Sequence, residues 1–427
     1  MNILIAGAGK VGYNLAKALC LKHNVVIIDK NEKALENLKE TLDVMTICAD
    51  LRDSRAYMGF EEKFDFFIAV TNNDEINLIS TVVTDGLIDI ENTIVRLTNT
   101  SYISTNFQKL KINRLVYPYK LSASAVAKLI NYPKANNIKE FPFNDFILVS
   151  VTVKSPEITN VSEINGEDVT VIGVQRDEEF IFLDENSEIK EDDLLYIFGN
   201  KEKIKEIMNR IDTISPQKIQ NVLIYGANPL GIEIAKILVS YSLNVKILEK
   251  DETQAHIAAE TLGEKAMVIN SSYEDEEMLI NEGLNRSDIA ITASLKDEGN
   301  IIKSLQAKKL GIKKVITINN NLNYYSLMHS LKLSTIRGPK IAAYYEILEE
   351  IDSRLLVYER FFLGAKGKIF IKQIFKEKKV SPPKENNKTL IIRNNKIIHL
   401  KEKTELLPND IVMEFNFSGN RKWIETL

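Results

Sequence analysis

Two glycine-rich turns, 219 residues apart, constrain this chain more than any other feature of it. The first is Gly7-Ala8-Gly9-Lys10-Val11-Gly12, directly after an apolar run at residues 3–6. The second is Gly226-Ala227-Asn228-Pro229-Leu230-Gly231, directly after a similar run at 222–225. Each sits between a strand signal and a helix signal. There, backbone N–H groups and a helix N-terminus can hold a pyrophosphate. Two such turns, the second without its middle glycine, read as a duplicated module whose copies have diverged.

The rest of the chain follows that duplication. Strand-length apolar runs at 3–6, 25–28, 44–48, 66–70, 93–97 and 115–117 alternate with amphipathic helical stretches. Being apolar on both faces, the runs read as strands buried beneath helices, in a parallel, doubly wound sheet. A connecting helix is expected at 121–131, after Pro118 and closed by Pro133. Short strands joined by acidic turns then fill about 138–211, a small β-rich subdomain, and Ser215-Pro216-Gln217 reads as a linker. The plan restarts with runs at 222–225, 245–248, 267–270, 289–292 and 315–318. A helix opened by Pro339 and a second β-rich segment at 367–416 complete it.

Four landmarks repeat at nearly constant offset: Gly12 with Gly231, Asp29 with Glu249, Asp74-Glu75-x-Asn77 with Asp297-Glu298-x-Asn300, and Asp193 with Asp410. Small drift in the offset marks duplication with loop insertions. The expected fold is α/β: tandem Rossmann-like sheets, each followed by a small α+β subdomain. The expected boundaries are 1–119, 134–213, 218–336 and 352–427.

In the first turn, Gly7 supplies the tight bend, Gly9 lets backbone approach the pyrophosphate, and Gly12 lets the helix pack on the strand. Asp29 ends the next strand. A carboxylate there accepts hydrogen bonds from ribose hydroxyls and repels a 2′-phosphate, which favours NAD over NADP. Thr71 and Asn72, after the fourth strand, and Arg96, in the fifth, belong to strand ends that line the ligand crevice of such a sheet. Asp50, past the third strand, reads either as a ribose-side or adenine-side contact or as a helix N-cap. Asp74 and Glu75 read as first-turn acids favoured by the helix dipole.

The second turn is altered. Asn228 puts a Cβ where phosphates approach, and Pro229 offers no N–H, although proline suits the first helical position. Glu249 keeps the carboxylate. Ser294-Leu295 and Thr317 stand opposite Thr71-Asn72 and Arg96. This copy reads as structural.

Composition narrows the partners. The 427 residues carry 55 Lys and Arg against 59 Asp and Glu, a formal net charge of -4. That near-neutral balance gives no electrostatic case for nucleic acid or for a polybasic membrane patch. Only Cys20 and Cys48 occur, in no CxxC pair, which fits a reducing compartment. No apolar run approaches the length of a membrane span, and the first residues already read as a strand and its turn, so neither a transmembrane helix nor a signal peptide is expected. A membrane partner would be a protein. No thiolate metal cluster is expected either.

The rival class is an NAD-dependent oxidoreductase. His23, His256, His329 and His399 form no spacing with chemical meaning. Tyr13-x-x-x-Lys17 mimics a dehydrogenase pair but lies on the helix after the glycine turn. Acids in the β-rich segments gather in turns and read as solvated loops.

The order GAGKVG, IIDK, AVTNNDEIN, IVRL, a proline-led helix and a β subdomain, all repeated once, resembles the TrkA family. These are cytoplasmic regulatory proteins of bacterial Trk potassium-uptake systems, built from two RCK (KTN) units. The resemblance spans essentially the whole chain. It implies a non-enzymatic regulator that binds NAD(H), often also ATP or ADP, and so gates a transporter by conformational change. It implies a ring of RCK units, expected as a tetramer, held against a membrane potassium-translocating subunit on the inner face of the plasma membrane. Carried across, the ligand positions are Gly7, Ala8, Gly9, Lys10, Val11, Asp29, Thr71, Asn72 and Arg96. In the second unit Gly226, Ala227, Asn228, Pro229, Leu230 and Glu249 correspond by position. There Asn228, Pro229, Ser294-Leu295 and Thr317 depart from the first unit's pattern.

Overall fold

The computed structural model describes residues 1–104, 107–141, 145–176, 179–352, 357–363, 366–383 and 387–427. They form two compact units, Met1–Ser122 with Arg337–Glu350, and Ala123–Ile336 with Ile351–Leu427.

The first unit holds a six-stranded parallel sheet of β1 (Asn2–Ala6), β2 (Asn24–Asp29), β3 (Met45–Cys48), β4 (Phe64–Ala69), β5 (Ile90–Arg96) and β6 (Arg114–Val116). Its order is β3-β2-β1-β4-β5-β6. The strand order reverses between β1 and β4, where ligands bind in sheets of this class. Ile3, Leu4, Ile5 and Ala6 are fully buried, as a central strand covered on both faces requires. The expectation of two-sided burial fails for β3. It forms the edge of the sheet, and Met45 is exposed. Helices α1 (Lys10–Leu19), α2 (Glu32–Thr41) and α3 (Asp74–Asp85) follow β1, β2 and β4.

The connecting helix α4 (Pro118–Asn131) starts earlier than the apolar spacing indicated. Proline has φ pre-set for the first helical turn, where its missing N–H costs nothing.

The second unit carries three large sheets and a two-stranded one. A five-stranded antiparallel sheet of β7 (Ala135–Glu140), β8 (Phe146–Thr152), β9 (Val169–Arg176), β10 (Glu179–Phe182) and β11 (Leu194–Asn200) runs in the order β10-β9-β11-β8-β7, followed by α5 (Lys201–Ile211). Next come β12 (Asn221–Tyr225), β13 (Asn244–Glu249), β14 (Met267–Asn270), β15 (Ile289–Thr292), β16 (Lys314–Asn319) and β17 (Ser334–Arg337), which repeat the first sheet's order as β14-β13-β12-β15-β16-β17. With them run α6 (Pro229–Ser240), α7 (Glu252–Leu262), α8 (Glu276–Asn281), α9 (Asp297–Lys309) and α10 (Tyr325–Ser330). Strand β17 gives no apolar run, because three of its four residues, Ser334, Thr335 and Arg337, are polar.

Helix α11 (Pro339–Asp352) follows β17 in sequence, yet its residues up to Glu350 belong to the first unit. There Arg114 of β6 pairs with Glu346, and Ser122 Oγ donates to the Arg337 carbonyl at 2.9 Å.

The last sheet contains β18 (Tyr358–Phe362), β19 (Gly367–Gln373), β21 (Lys388–Arg393), β22 (Lys396–His399) and β24 (Ile411–Asn416) in the order β18-β19-β24-β21-β22. Strands β20 (Lys378–Val380) and β23 (Thr404–Leu406) pair with each other, and α12 (Lys422–Glu425) closes the chain. The two β-rich sheets share one apolar core, with Phe146, Ile172 and Phe198 against Ile369, Leu390 and Phe415. An ion pair is duplicated between them. Arg176 binds buried Asp193 through two hydrogen bonds of 2.7 and 2.6 Å, and Arg393 binds buried Asp410 through two of 2.8 and 2.7 Å.

Candidate functional site

Both glycine turns bend in the same way. Gly7 has φ +115° and Gly226 φ +112°, a region L side chains rarely adopt. A Cβ on Gly12 would stand 1.9 Å from the Gly7 carbonyl oxygen, and one on Gly231 2.0 Å from that of Gly226. These glycines hold helix against turn and nothing else fits. The carboxylate at the end of the next strand braces each turn. Asp29 Oδ2 accepts from Ala8 N–H at 2.6 Å, and Glu249 Oε2 accepts from Ala227 N–H at 2.8 Å.

At the middle position the copies part. A Cβ on Gly9 would meet nothing within 4 Å. Gly9 is the N-cap of α1 and brings no side-chain cap, so the helix N-terminus opens onto free space. That space is a cavity of about 230 Å³. Ala8, Gly9, Lys10, Val11 and Asp29 line one side of it, and Val70, Thr71 and Asn72 another. Asn31, Ala34 and Lys340 complete the lining. Lys10 adds charge beside the positive end of the α1 dipole.

In the second turn Asn228 occupies this position itself. Its Oδ1 accepts from Leu230 N–H at 2.9 Å and from Gly231 N–H at 3.4 Å. Its Nδ2 donates to the Ala293 carbonyl at 2.5 Å. The carboxamide takes the helix amides that an anion would otherwise take. Pro229 is the first residue of α6, where its missing N–H is harmless. Leu230 is buried.

Glu249 is buried and fully engaged. Besides Ala227, it accepts from Lys250 N–H at 2.8 Å, Asp251 N–H at 3.0 Å and the Tyr273 hydroxyl at 3.2 Å. The Lys303 ammonium lies 3.9 Å from the Tyr273 ring centroid, and burial pulls its pKa down to about 8 against the pull of Glu249.

The strand-end residues are placed by a side chain that sequence reasoning used only as a landmark. Asn77 is fully buried. Its Oδ1 accepts from Thr71 N–H at 2.9 Å and Thr71 Oγ1 at 2.6 Å, and its Nδ2 donates to the Thr71 and Arg96 carbonyls at 3.1 and 2.8 Å. Asn300 repeats all four bonds with Ser294 and Ile318, at 2.8, 2.6, 3.0 and 3.0 Å, so Ile318 and not Thr317 stands opposite Arg96. The repeated AVTNNDEIN signal therefore marks a clamp between two strand ends. Asp74 does more than face a helix dipole: its carboxylate accepts from the N–H groups of Thr98 and Asn99 at 2.8 to 2.9 Å.

Arg96 is buried behind the cavity rather than in its lining. One of its nitrogens donates to the Thr71 carbonyl at 2.7 Å and lies 3.4 Å from Asn72 Oδ1. Burial lowers its pKa from the ordinary guanidinium value. Gly7 and Gly12 likewise support the lining without joining it. Asp50 does not reach the cavity and is no helix N-cap: its carboxylate binds Arg52 at 2.6 and 2.9 Å, which holds its pKa well below the carboxylate range. Lys340 escaped sequence reasoning because its position in the cavity depends on where α11 packs. No local pattern near residue 340 carries that information.

Among the described residues no group of three or more His, Cys, Asp or Glu is arranged to hold a metal ion, and no helix is long and apolar enough to cross a membrane.

The chain is similar to known proteins over most of its length. The chain is 27% identical over 367 residues to a Trk system potassium uptake protein trkA homolog 1 of Methanosarcina mazei, covering 82% of this chain and 89% of that one. It is 24% identical to the TrkA homolog 2 of the same organism over the full length of both. The Haemophilus influenzae Trk system potassium uptake protein TrkA is 27% identical over 359 residues, 80% of this chain and 77% of that one. Among solved structures, the GsuK channel bound to NAD superposes with a TM-score of 0.63 at 16% identity, covering all of this chain and 78% of that one. The GsuK RCK domain gives 0.62 at 15%, covering all of this chain and 94% of that one. At such identities the likeness concerns the fold. The TrkA-N domain family model matches residues 3–118 and 222–339, and the TrkA-C domain model matches 144–212. With over half of its length in two such matches, the chain belongs to the TrkA-N domain family.

Proposed function

We propose that this protein is a cytoplasmic regulatory subunit of a Trk-type potassium-uptake system and that it senses NAD(H) through its first glycine turn. The observation that carries this reading is the contrast at one position. Gly9 leaves the α1 N-terminus open to a cavity, while Asn228 closes the equivalent end of α6 from within. Ala8 to Val11 would hold the pyrophosphate, Asp29 the ribose hydroxyls, and Thr71 and Asn72 the crevice side. Arg96 would lend positive charge from behind. Asp50 drops out of this set. ATP or ADP would use the same amides. Gly226 to Leu230 and Glu249 serve structure in this reading. The naming of the relatives and the two TrkA-N matches support it.

The protein would act without catalysis. Bound nucleotide favours one arrangement of RCK units only through differential affinity for the two arrangements. A ring of such units, a tetramer, would pass that preference to a membrane potassium-translocating subunit, which holds the protein at the inner face of the plasma membrane. We assign the functional segments as 1–119, 134–213, 218–336 and 352–427. Titration with NADH, followed by its fluorescence, tests the site. Saturable enhancement in the parent and none in Gly9→Val is the expected result. Equal binding in both would overturn the assignment. Co-purification with a Trk-type membrane subunit tests the partner.

A further inference from the structure

A cavity of about 590 Å³ in the second unit has no residue of either glycine turn in its lining. One wall is the face of the first antiparallel sheet, with Asn137 of β7, Ser150 and Thr152 of β8, and Gln175 of β9. The other is α10 and the segment before β17, with Tyr325, His329 and Lys332. Gln175 is 3% exposed, and its Oε1 accepts no hydrogen bond from the described residues. A buried amide oxygen without a donor is costly to keep, so it calls for an explanation.

The duplicated subdomain supplies the control. In the first copy Gln175 pairs across the sheet with Leu194, and Ser150 with Tyr196. In the second, Ile392 pairs with Ile411, and Ile371 with Met413. The duplicated Arg176–Asp193 and Arg393–Asp410 pairs fix the correspondence. The strands therefore accept isoleucine at these positions: the second copy packs Ile371 and Ile392 into the shared apolar core, while the first keeps Gln175 and Ser150 on the cavity. By the same offset Lys190 of the rim corresponds to Leu407. The Arg–Asp pair, which both copies retain, is structural. The polar residues peculiar to the first copy, Ser150, Gln175 and Lys190, all line the cavity.

Its charges indicate what the cavity would hold. Arg176 is bound to Asp193, and Lys332 Nζ lies 2.7 Å from Asp192 Oδ2. Lys190 and Glu191 add one charge of each sign. The lining is balanced and gives no preference to an anion. Amide and hydroxyl groups recognise a polar edge, and Gln175 Oε1 lacks a hydrogen-bond donor, which the N–H edge of a base would supply. Ligand cavities of about 300–1,000 Å³ enclose molecules well above the size of an amino acid.

We propose that this cavity is a second ligand site, for an uncharged molecule of nucleoside size whose N–H edge meets Gln175 Oε1. The test uses the full chain carrying Gly9→Val, so that the first cavity does not contribute. Adenosine, guanosine, cytidine and uridine are titrated one at a time by calorimetry, alongside the corresponding 5′-monophosphates and glutamine. Saturable binding of at least one nucleoside is expected, weaker for its monophosphate and at least tenfold weaker in Gln175→Ile. The second copy shows that isoleucine suits the fold, so the melting temperature of Gln175→Ile should not fall. Absence of binding by all four nucleosides at millimolar concentration would overturn the proposal. Binding indifferent to Gln175→Ile would overturn it too, as would preference for glutamine or for a monophosphate. The reading of the first cavity is judged separately, by NADH binding to the parent.

Discussion

Asn228 Oδ1 accepts a hydrogen bond from the N–H of Leu230 at 2.9 Å, so the second glycine turn caps its own helix. Gly9 offers α1 no such group. The two positions should respond in opposite ways. Asn228→Ala removes the cap and strands the Ala293 carbonyl, and should lower stability by about 1–2 kcal/mol. Gly9→Ala adds a Cβ in open space at φ −70° and should leave stability within about 0.5 kcal/mol. Denaturant unfolding of both variants measures the contrast. Equal losses would contradict it.

Asp29→Ala should weaken NADH binding and narrow the preference for NADH over NADPH. It deletes the acceptor for ribose hydroxyls and the charge that repels a 2′-phosphate. It also leaves the N–H groups of Ala8 and Asn31 without their acceptor, so the turn loosens. Competition titrations with both cofactors read the ratio. An unchanged preference would refute the role.

Lys340→Ala should reduce the affinity for ADP or NADH roughly tenfold, the loss of one charge-assisted contact. The side chain is exposed at the cavity. The melting temperature should therefore hold. An unaltered affinity would show that Lys340 borders the cavity without touching its ligand.

Asn77→Ala should cost about 3 kcal/mol, because four hydrogen bonds end on one buried carboxamide. Asn300→Ala should cost about the same, since it loses the same four bonds. Thermal unfolding distinguishes this from a role in ligand contact alone, which would leave stability unchanged.

Lys314 should impose a pH dependence on stability. It is buried and donates to the Ala135 carbonyl at 2.6 Å. Burial first, and then Lys154 and Lys308, push its pKa down to about 7, against the opposing pull of Asp212. The unfolded chain holds this proton up to the ordinary lysine value, so between about pH 7 and pH 10 it binds more protons than the folded one. Stability from this group should therefore rise with pH across that window, by at most about 1.4 kcal/mol per unit. Lys314→Met should flatten the slope in denaturant unfolding at several pH values. A slope that survives would place its source elsewhere.

Much of this is legible in the sequence. Strand, glycine turn and helix follow one another in sequence, so the bends at Gly7 and Gly226, the close approach at Gly12 and Gly231, and the carboxylates of Asp29 and Glu249 are local facts. Helix α4 was found late by three residues, because its proline start carries no apolar periodicity. Strand β3 was read as buried on both faces, because an edge strand can be as apolar as a central one.

The rest belongs to the tertiary structure. Asn77 and Asn300 looked like helix residues in a repeated motif, yet each joins two strand ends that the sheet order brings together. Asp50 lay at a reasonable distance past its strand, and Arg52 claims it. Lys340 reaches the first cavity only because α11 packs in the unit of the first sheet, more than 300 residues along the chain from the glycine turn it joins. The sequence by itself determined where the backbone bends and which turn keeps its glycines. Which lysine is brought to the open helix end, and how the strand ends beside it are clamped, was decided by contacts between distant segments, which periodicity and spacing do not encode.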